Sequence, residues 1–532
     1  MRPFDANGTF GPIVPGGGDE LRQLAVRGVG VTVLSGGAGL AIQVVATVIL
    51  ARLLTPTDFG LVAMVTTFSL LLANFGFNGV TEAIVQREEI DHALASNLFW
   101  INVAGSLLLA LAFAASGSLL ARFYKDPRVA GVSEAMASTI FLTGLSVVPL
   151  ALLKRAMRFS MVSTIDVLAR AIAVAVSVIL GWAGWSYWAL VAGAVSQPVS
   201  TCLGAWTSCR FLPGFPRRRV GTRSTVGFAV STYGRYCTGY FTNNLDNFLI
   251  GWRLGPASLG YYKKAYDLFA LSSGQFSIGL TVVAVSALSR LRHDAIQYRR
   301  YFLGAVGVMA FVGMGVGADL TLVGKDLILV LLGPKWAETG RIFMLFGPGI
   351  GVMLLYGTHI WLHLSLGRAD RWFQWGLIDL VVTSLFLCIG LRWRAEGIAL
   401  AWVAAYWVIT LPSLWYAGKP IQLGIAPVLA VVWRYLLASL IAGCAAELFV
   451  QAVRSLLAMS GSVWPLARVV MVSLVFGTLY VGAVTLLHGS RAPLTQLAGL
   501  LREMVWQRRL SPANESVGES SESSSKVIAA VP

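Results

Sequence analysis

The sequence predicts an all-α polytopic membrane protein of about 14 transmembrane helices, built as two parallel-repeat six-helix lobes plus two C-terminal helices. Three observations carry this. The chain of 532 residues is 56% hydrophobic and only 12% charged, with a mean hydropathy of +0.71, whereas a soluble domain carries about 25% charged residues. Apolar runs of about 20 residues recur along it, each long enough to cross roughly 30 Å of hydrocarbon as a helix. And the chain repeats itself: Leu54, Pro56 and Gly60 return as Leu254, Pro256 and Gly260, each 200 positions later. In both copies an apolar helix leads into a Pro-containing turn and a Gly opens the next helix. A second echo pairs Phe123-Tyr124-Lys125-Asp126-Pro127 with Leu332-Gly333-Pro334-Lys335-Trp336. Duplication across membrane-spanning halves is a signature of alternating-access transporters.

In chain order, residues 1–28 are rich in Gly and Pro and read as a loose cytoplasmic arm. The first lobe, 29–209, holds spans near 29–51, 59–81, 94–119, 133–152, 162–182 and 185–207. A basic connector, 210–225, contains Pro213, Pro216 and Arg217–Arg219. The second lobe, 226–417, holds spans near 226–252, 258–288, 300–323, 341–366, 372–391 and 396–417. Region 418–488 adds two spans near 428–452 and 464–488. Segment 489–510 places Leu494, Leu497, Leu501 and Met504 on one face and reads as an amphipathic interfacial helix. The Ser/Glu-rich piece 511–532 reads as disordered. Lys and Arg concentrate in the connections that lie on one side if the amino terminus is cytoplasmic, which puts both termini inside. An even number of spans separates the two copies, so they point the same way and their symmetry axis runs along the membrane normal.

The formal net charge of +16 reflects these loops rather than a nucleic-acid surface, because the basic residues never gather on a polar domain. Cys202, Cys209, Cys237, Cys388 and Cys444 have no metal or disulfide spacing and read as packing thiols. There is no G-x-x-x-x-G-K-[ST] loop, so no ATP site of that kind is encoded. The run Ser35-Gly36-Gly37-Ala38-Gly39 reads as a close-packing helix surface, since Ile42 stands where a dinucleotide fingerprint needs Gly. His359 and His363 share a helix face, but with no third ligand nearby they read as packing residues or a polar cavity wall, not a metal site.

Ionisable groups at membrane depth are costly unless paired or wet, and they single out candidates. Asp166 and Arg170, four apart on the fifth span, form either a helix-locking ion pair or a cavity-facing arginine held by its acid. Asp379 is alone in the eleventh span and, with Asp166, is a candidate for ion coupling to a proton or sodium gradient. The seventh span is the richest: Tyr233, Tyr236, Tyr240, Asn243, Asn244, Asp246 and Asn247 recur at spacings of three and four. Asn and Asp beside Tyr rings can hydrogen-bond hydroxyls and stack on sugar faces, so Tyr236, Tyr240, Asn243, Asn244, Asp246 and Asn247 are the candidate sugar contacts. The cations Arg170, Arg235, Arg253, Lys263 and Lys264 are the candidate phosphate contacts, although snorkelling explains Lys263 and Lys264 equally well.

The stretch Leu50-Ala51-Arg52-Leu53-Leu54-Thr55-Pro56-Thr57-Asp58-Phe59-Gly60-Leu61, together with Ile84-Val85-Gln86-Arg87, Ser96-Asn97-Leu98-Phe99-Trp100, Leu153-Lys154-Arg155 and Leu259-Gly260-Tyr261-Tyr262, resembles WzxC-type lipopolysaccharide and exopolysaccharide flippases. These belong to the polysaccharide transporter family of the multidrug/oligosaccharidyl-lipid/polysaccharide exporter superfamily. The resemblance covers about residues 30 to 370 and fades beyond about 420. It implies a transporter with no cofactor that exports undecaprenyl-pyrophosphate-linked oligosaccharide from the cytoplasmic to the periplasmic leaflet of the bacterial inner membrane. Its implied partners are membrane lipids, a polymerase and a chain-length regulator, and no nucleic acid. The first span lacks the arginine of the related peptidoglycan-precursor flippases, so phosphate contacts are expected elsewhere. A cation-coupled drug exporter would want acidic cavity residues, whereas the charges at depth here lean basic. A membrane polymerase or ligase would want a long external loop and no repeat.

Overall fold

In the computed structural model, residues 3–5, 8, 10, 18–77, 80–87, 90–217, 222–454, 464–490 and 495 are described. Fourteen membrane-length helices run through them, which agrees with the expected count; α1 and α10 are longer than the spans expected near 29–51 and 300–323. The first lobe contains α1 (Gly18–Leu53), α2 (Pro56–Phe77), the short α3 (Val80–Gln86), α4 (His92–Ala115), the short α5 (Gly117–Tyr124), α6 (Arg128–Arg155), α7 (Phe159–Trp182) and α8 (Tyr187–Ser208). The second lobe contains α9 (Thr222–Arg290), α10 (Ala295–Leu332), α11 (Ala337–Ser365), α12 (Ala369–Gly390) and α13 (Arg394–Gly418). The appended pair is α14 (Ile425–Arg454) and α15 (Trp464–His488).

The long α9 is two spans in one. Gly255 interrupts it at φ 83°, a left-handed conformation that glycine adopts without strain, and Pro256 starts the second arm, where a missing N–H costs nothing. The first arm covers 222–254 and the second 256–290. The matching turn between α1 and α2 is stiffened by a capping box. Thr55 N and Oγ1 both donate to Asp58 Oδ2, at 2.9 and 2.6 Å, and Asp58 N returns to Thr55 Oγ1 at 3.4 Å. Ser186, before α8, donates to the other Asp58 oxygen. Asp91 and Asp294 cap α4 and α10 in the same manner, their carboxylates accepting from the first free backbone amides.

The appended pair packs on the second lobe. Arg468 of α15 donates to Asp326 of α10 at 2.7 Å, Ser473 to Asp319 at 3.0 Å, and Tyr480 to the Phe311 carbonyl at 2.7 Å. In lipid, where packing gains no hydrophobic term, such bonds hold helices together.

Two expectations need correction. The amino-terminal arm is shorter and less loose than its composition implies. α1 already begins at Gly18, and partly buried Phe4 packs against Phe10, His92 and Phe211 while His92 N donates to the Gly8 carbonyl at 2.8 Å. Two phenylalanines within seven residues bury enough apolar surface to pin a chain that glycines leave free. The glycine run on α1 is not a close-packing surface: an added Cβ on Gly36 or Gly37 would meet nothing within 4 Å, and on Gly39 only the Arg170 stem at 3.6 Å. Small residues permit close approach without compelling it. The amphipathic helix expected at 489–510 and the tail 511–532 lie outside the described residues, apart from 489, 490 and 495.

At the end of the bundle where α1 gives way to α2, the lobes meet backbone to backbone. A methyl group on Gly60 would overlap the Pro256 carbonyl, and one on Gly260 would overlap the Pro56 carbonyl. Overpacking of this kind costs about 1–3 kcal/mol. With spin labels on exposed Lys125 and Lys335, Gly60→Ala and Gly260→Ala should each tilt the closed-to-parted ratio of this end by about tenfold or more. Gly36→Ala, made where nothing is near, should leave the distance distribution unchanged. If the glycine variants keep the parental distances, this contact does not close the lobes.

Candidate functional site

The junction is reciprocal beyond its glycines. On one side Trp336, fully buried, donates its indole N–H to the Ala51 carbonyl of α1 at 2.8 Å. On the other, Tyr124 packs against Gly251 of the first arm of α9, its Cε1 3.0 Å from where a Cβ would stand. Gly251 is the repeat counterpart of Ala51, and Tyr124 and Trp336 belong to the second sequence echo. The next pair behaves alike: Arg52 donates to the Val330 carbonyl at 2.9 Å, and the Trp252 ring stacks on Phe123 at 6.0 Å. A two-fold axis therefore relates the halves at this end, as the sequence repeat requires. The turn that aims Tyr124 is held by Arg128, which donates to both Asp126 oxygens at 3.0 and 2.7 Å. Those bonds hold the Asp126 carboxyl below its usual range.

Within this junction sits Lys264, on the second arm of α9. It is 8% exposed, and its ammonium lies over the Phe59 ring of the opposite lobe, 4.1 Å from the centroid. Among the described residues no carboxylate forms an ion pair with it; Asp267, the nearest acid along the helix, pairs with Lys263 at 2.5 Å. Phe59 packs in turn on Trp336 at 5.5 Å, and Trp336 on Tyr261 at 6.2 Å. The repeat counterpart of Lys264 is Met64, which is fully buried. One copy thus places a charge where the other places a thioether.

The tyrosine stripe of α9 also spans the two lobes. Tyr240 donates to the Thr67 carbonyl of α2 and Tyr233 to that of Leu71, both at 2.7 Å. Tyr236 stacks between them, 5.9 Å from Tyr233 and 5.7 Å from Tyr240. Asn243 is exposed and Asn244 half-buried, each bonding a carbonyl one turn back. Asp246 and Asn247 depart from the expected sugar-contacting row: both are buried, at 0% and 1% exposed. Asp246 accepts from Tyr262 at 2.7 Å and from the Trp402 indole of α13 at 3.1 Å. In this conformation it ties three helices of the second lobe and faces no open surface. Helical spacing correctly put these side chains on neighbouring faces, but it carries no record of which helix covers each face.

The expected phosphate cluster is dispersed. Arg170 pairs with Asp166 at 3.0 Å on α7, both about half exposed, with its stem beside Gly39 of α1. Arg253 is exposed beside the junction, and Lys263 is held by Asp267. The side chain of Arg235 lies outside the described residues.

Asp379 has the partners the sequence could not reveal. It accepts from the Tyr356 hydroxyl of α11 at 2.8 Å and from Thr383 at 3.0 Å, while the Trp375 indole donates to Tyr356. His359 contacts the Tyr356 carbonyl through Nδ1 at 2.5 Å. Among the described residues no three His, Cys, Asp or Glu side chains converge as metal ligands. Two acids were overlooked in the sequence, Asp319 and Asp326 of α10; the signal, carboxylates in or beside an apolar span, was present.

Comparison with known proteins places these features in context. The chain is 24% identical over 389 residues to the succinoglycan biosynthesis transport protein ExoT of Rhizobium meliloti (strain 1021), covering 73% of this chain and 79% of the relative. It is 21% identical over 410 residues to the lipopolysaccharide biosynthesis protein WzxC of Escherichia coli (strain K12), covering 76% and 82%. Its fold matches that of the lipid II flippase MurJ in an inward closed conformation, with a TM-score of 0.68 at 14% identity over 85% of this chain and 98% of that one. It also matches an inward-facing multidrug resistance MATE family transporter of the MOP superfamily, with a TM-score of 0.60 at 12% identity over 72% and 94%. This is a multi-pass membrane protein. The family model described as "Polysaccharide biosynthesis protein" spans residues 49–341, more than half of the chain, and the chain belongs to that family.

Proposed function

We propose that the protein is a flippase. It moves an oligosaccharide repeat unit carried on undecaprenyl pyrophosphate from the cytoplasmic to the periplasmic leaflet of a bacterial inner membrane, by alternating access, for lipopolysaccharide or exopolysaccharide assembly. The observation that carries this reading is the reciprocal junction: duplicated lobes that meet at one end through paired glycine and proline backbones, flanked by aromatic side chains, can part there and close at the other end. With both termini cytoplasmic, the junction is the periplasmic gate and the structure is closed outward. ExoT carries transport in its name and WzxC lipopolysaccharide biosynthesis, which agrees with a lipid-linked sugar as cargo and with a transporter, not a polymerase or ligase.

The physical problem is the pyrophosphate. Bare in hydrocarbon, each charge costs on the order of 20 kcal/mol before relaxation, so the route must offer cations while the polyprenyl tail stays in lipid. Lys264 suits that role, because a buried ammonium that lies over an aromatic ring and, among the described residues, forms no ion pair is costly to keep, and an arriving anion would relieve the cost. Arg170, Arg253, Lys263 and, from the sequence, Arg235 are the further candidate phosphate contacts. Tyr236, Tyr240, Asn243 and Asn244 are the candidate sugar contacts once the α2–α9 seam loosens. Asp246 and Asn247 join them only if the second lobe itself rearranges. A proton or sodium gradient acting at Asp166 or Asp379 would drive export, and a polymerase and chain-length regulator would receive the product.

Replacing Lys264 with its repeat counterpart is the sharpest test. In a host lacking its own flippase, Lys264→Met should lower surface polysaccharide by about tenfold or more, with protein level and melting temperature held. Lys264→Arg should retain a substantial part. Parental polymer from the Met variant would remove Lys264 from the route. Arg170→Ala should reduce polymer while Asp166→Asn, which leaves the arginine in place, should reduce it less. The reverse order would make the pair a structural brace.

A further inference from the structure

A column of polar side chains runs through the second lobe from one end of α11 to Asp379, and the flippase reading assigns no role to its histidines. His363 lies in the last turn of α11. It is 1% exposed, and neither ring nitrogen has a hydrogen-bond partner. Its ring is 5.8 Å from that of His359, one turn deeper and 2% exposed. The His359 ring lies 4.4 Å from that of Tyr356, whose hydroxyl donates to Asp379 of α12. From His363 to the turn after Ser365 the path is two residues. From Ser365 inward to Tyr356 it is about 14 Å at 1.5 Å per residue. Burying an imidazole with both nitrogens unsatisfied is costly, and apolar packing alone would be served better by Leu or Phe.

We propose that Asp379 binds the proton whose movement drives transport, and that His363 and His359 pass that proton between Asp379 and the end of the molecule where α11 stops. The proposal rests on the flippase reading and names its coupling ion. The steps conserve the proton. Neutral His363 takes it on a free ring nitrogen and becomes an imidazolium. It hands it to Nε2 of His359, whose Nδ1 keeps its own hydrogen on the Tyr356 carbonyl. After a small turn of the ring, Nε2 passes it to the Tyr356 hydroxyl oxygen as that hydroxyl gives its own hydrogen to Asp379, so the phenol is restored and the carboxylate becomes a neutral acid. A ring separation of 5.8 Å is spanned by one water or a small ring rotation.

The surroundings favour a proton over a metal ion. Around Asp379 stand Tyr356 from α11, Thr383 and Trp375 from α12, and Tyr406 from α13, which lies 5.3 Å from Tyr356. From α9, Asp246 reaches this group through Trp402, which stacks on Tyr406 and on which Tyr266 packs at 5.8 Å. Around His363 stand Tyr416 of α13, 6.0 Å away, Tyr298 of α10, bonded to Ser365, and Arg368, Asp370 and Arg371 at the helix end. A metal ion on this path would meet one carboxylate, whereas imidazoles exchange protons through either nitrogen. The link to the junction is also visible: Asp246 is bonded to Tyr262, two residues from Lys264.

The test uses the full chain, its five cysteines replaced, reconstituted in sealed proteoliposomes in sodium-free buffer. Fluorophores on Lys125→Cys and Lys335→Cys report parting of the junction. Between pH 5.5 and 8.5 the closed-to-parted ratio should change by about tenfold or more. Asp379→Asn should abolish that change, and Tyr356→Phe should displace its midpoint. His363→Gln and His359→Gln should keep the equilibrium but slow relaxation after a pH jump by about tenfold or more. A pH response that survives Asp379→Asn, a response to sodium instead of pH, or parental relaxation in both histidine variants would overturn the proposal. No lipid-linked sugar enters this measurement. A negative result leaves the flippase reading to the polysaccharide assay, and loss of polymer in that assay with a flat pH response here separates the two failures.

Discussion

The constraint on which the structure depends is the contact of two polypeptide backbones at Gly60 and Gly260. Side-chain contacts between lobes can be repacked, but a carbonyl lying where a Cβ would be cannot be accommodated by any other residue without moving a helix. The two prolines set this up. Each starts its helix at a fixed φ and leaves its carbonyl directed at the partner's glycine. The aromatic residues around the contact, Trp336 and Phe59 on one flank and Tyr124, Phe123 and Trp252 on the other, then fill the space beside a close approach they could not themselves create.

Much of this was legible in the sequence, because its cause was local or repeated. Membrane spans follow from the need to satisfy every backbone amide within the segment, and the turns follow from Pro, Gly and capping acids. The 200-residue offset identified the pairs 56/256 and 60/260 before any contact was known. What the sequence could not supply was the identity of the covering helix. Tyr240 reads as a side chain on a polar stripe in either case; only the fold shows that its hydroxyl serves Thr67 of the other lobe. Asp379 reads as solitary until α11 brings Tyr356 to it. The pairing of Arg170 with Asp166 was legible because both lie on one helix, four residues apart, while the dispersal of the remaining cations was not. Composition misjudged the amino terminus for a related reason: glycine and proline describe what a chain permits, and Phe4 and Phe10 decide what it does.

Polar groups inside the bilayer divide here into two kinds. Asp326 with Arg468, and Tyr480 with the Phe311 carbonyl, are satisfied locally and attach the appended hairpin to α10. Their removal would loosen a docking surface and nothing more. Lys264 and His363 are different: the first is buried with its ammonium over the Phe59 ring and in no ion pair among the described residues, and the second is buried with neither ring nitrogen bonded. Membrane-buried ionisable groups are expensive whether or not they are used. Asp246, by contrast, is satisfied by three partners.

The duplication sharpens that point. The halves agree where the agreement is mechanical: proline, glycine, the aromatic plug and the small residue that receives it. They disagree where chemistry is concerned. Met64 faces Lys264 across the repeat, Ala46 stands opposite Asp246, and Val62 opposite Tyr262. Each of these first-lobe residues can pack but can neither carry charge nor share a proton. A symmetric hinge needs two equivalent sides, whereas a directed cycle needs the sides to respond differently to the same cargo and the same gradient. The repeat keeps the first property at its backbone contact and leaves the second to side chains that differ between the copies. The second lobe brings Lys264, Asp246 and Tyr262, while the first brings Arg52, which donates to the Val330 carbonyl, and Asp58, opposite Trp252 and Ser258, so each copy contributes its own polar groups to the junction.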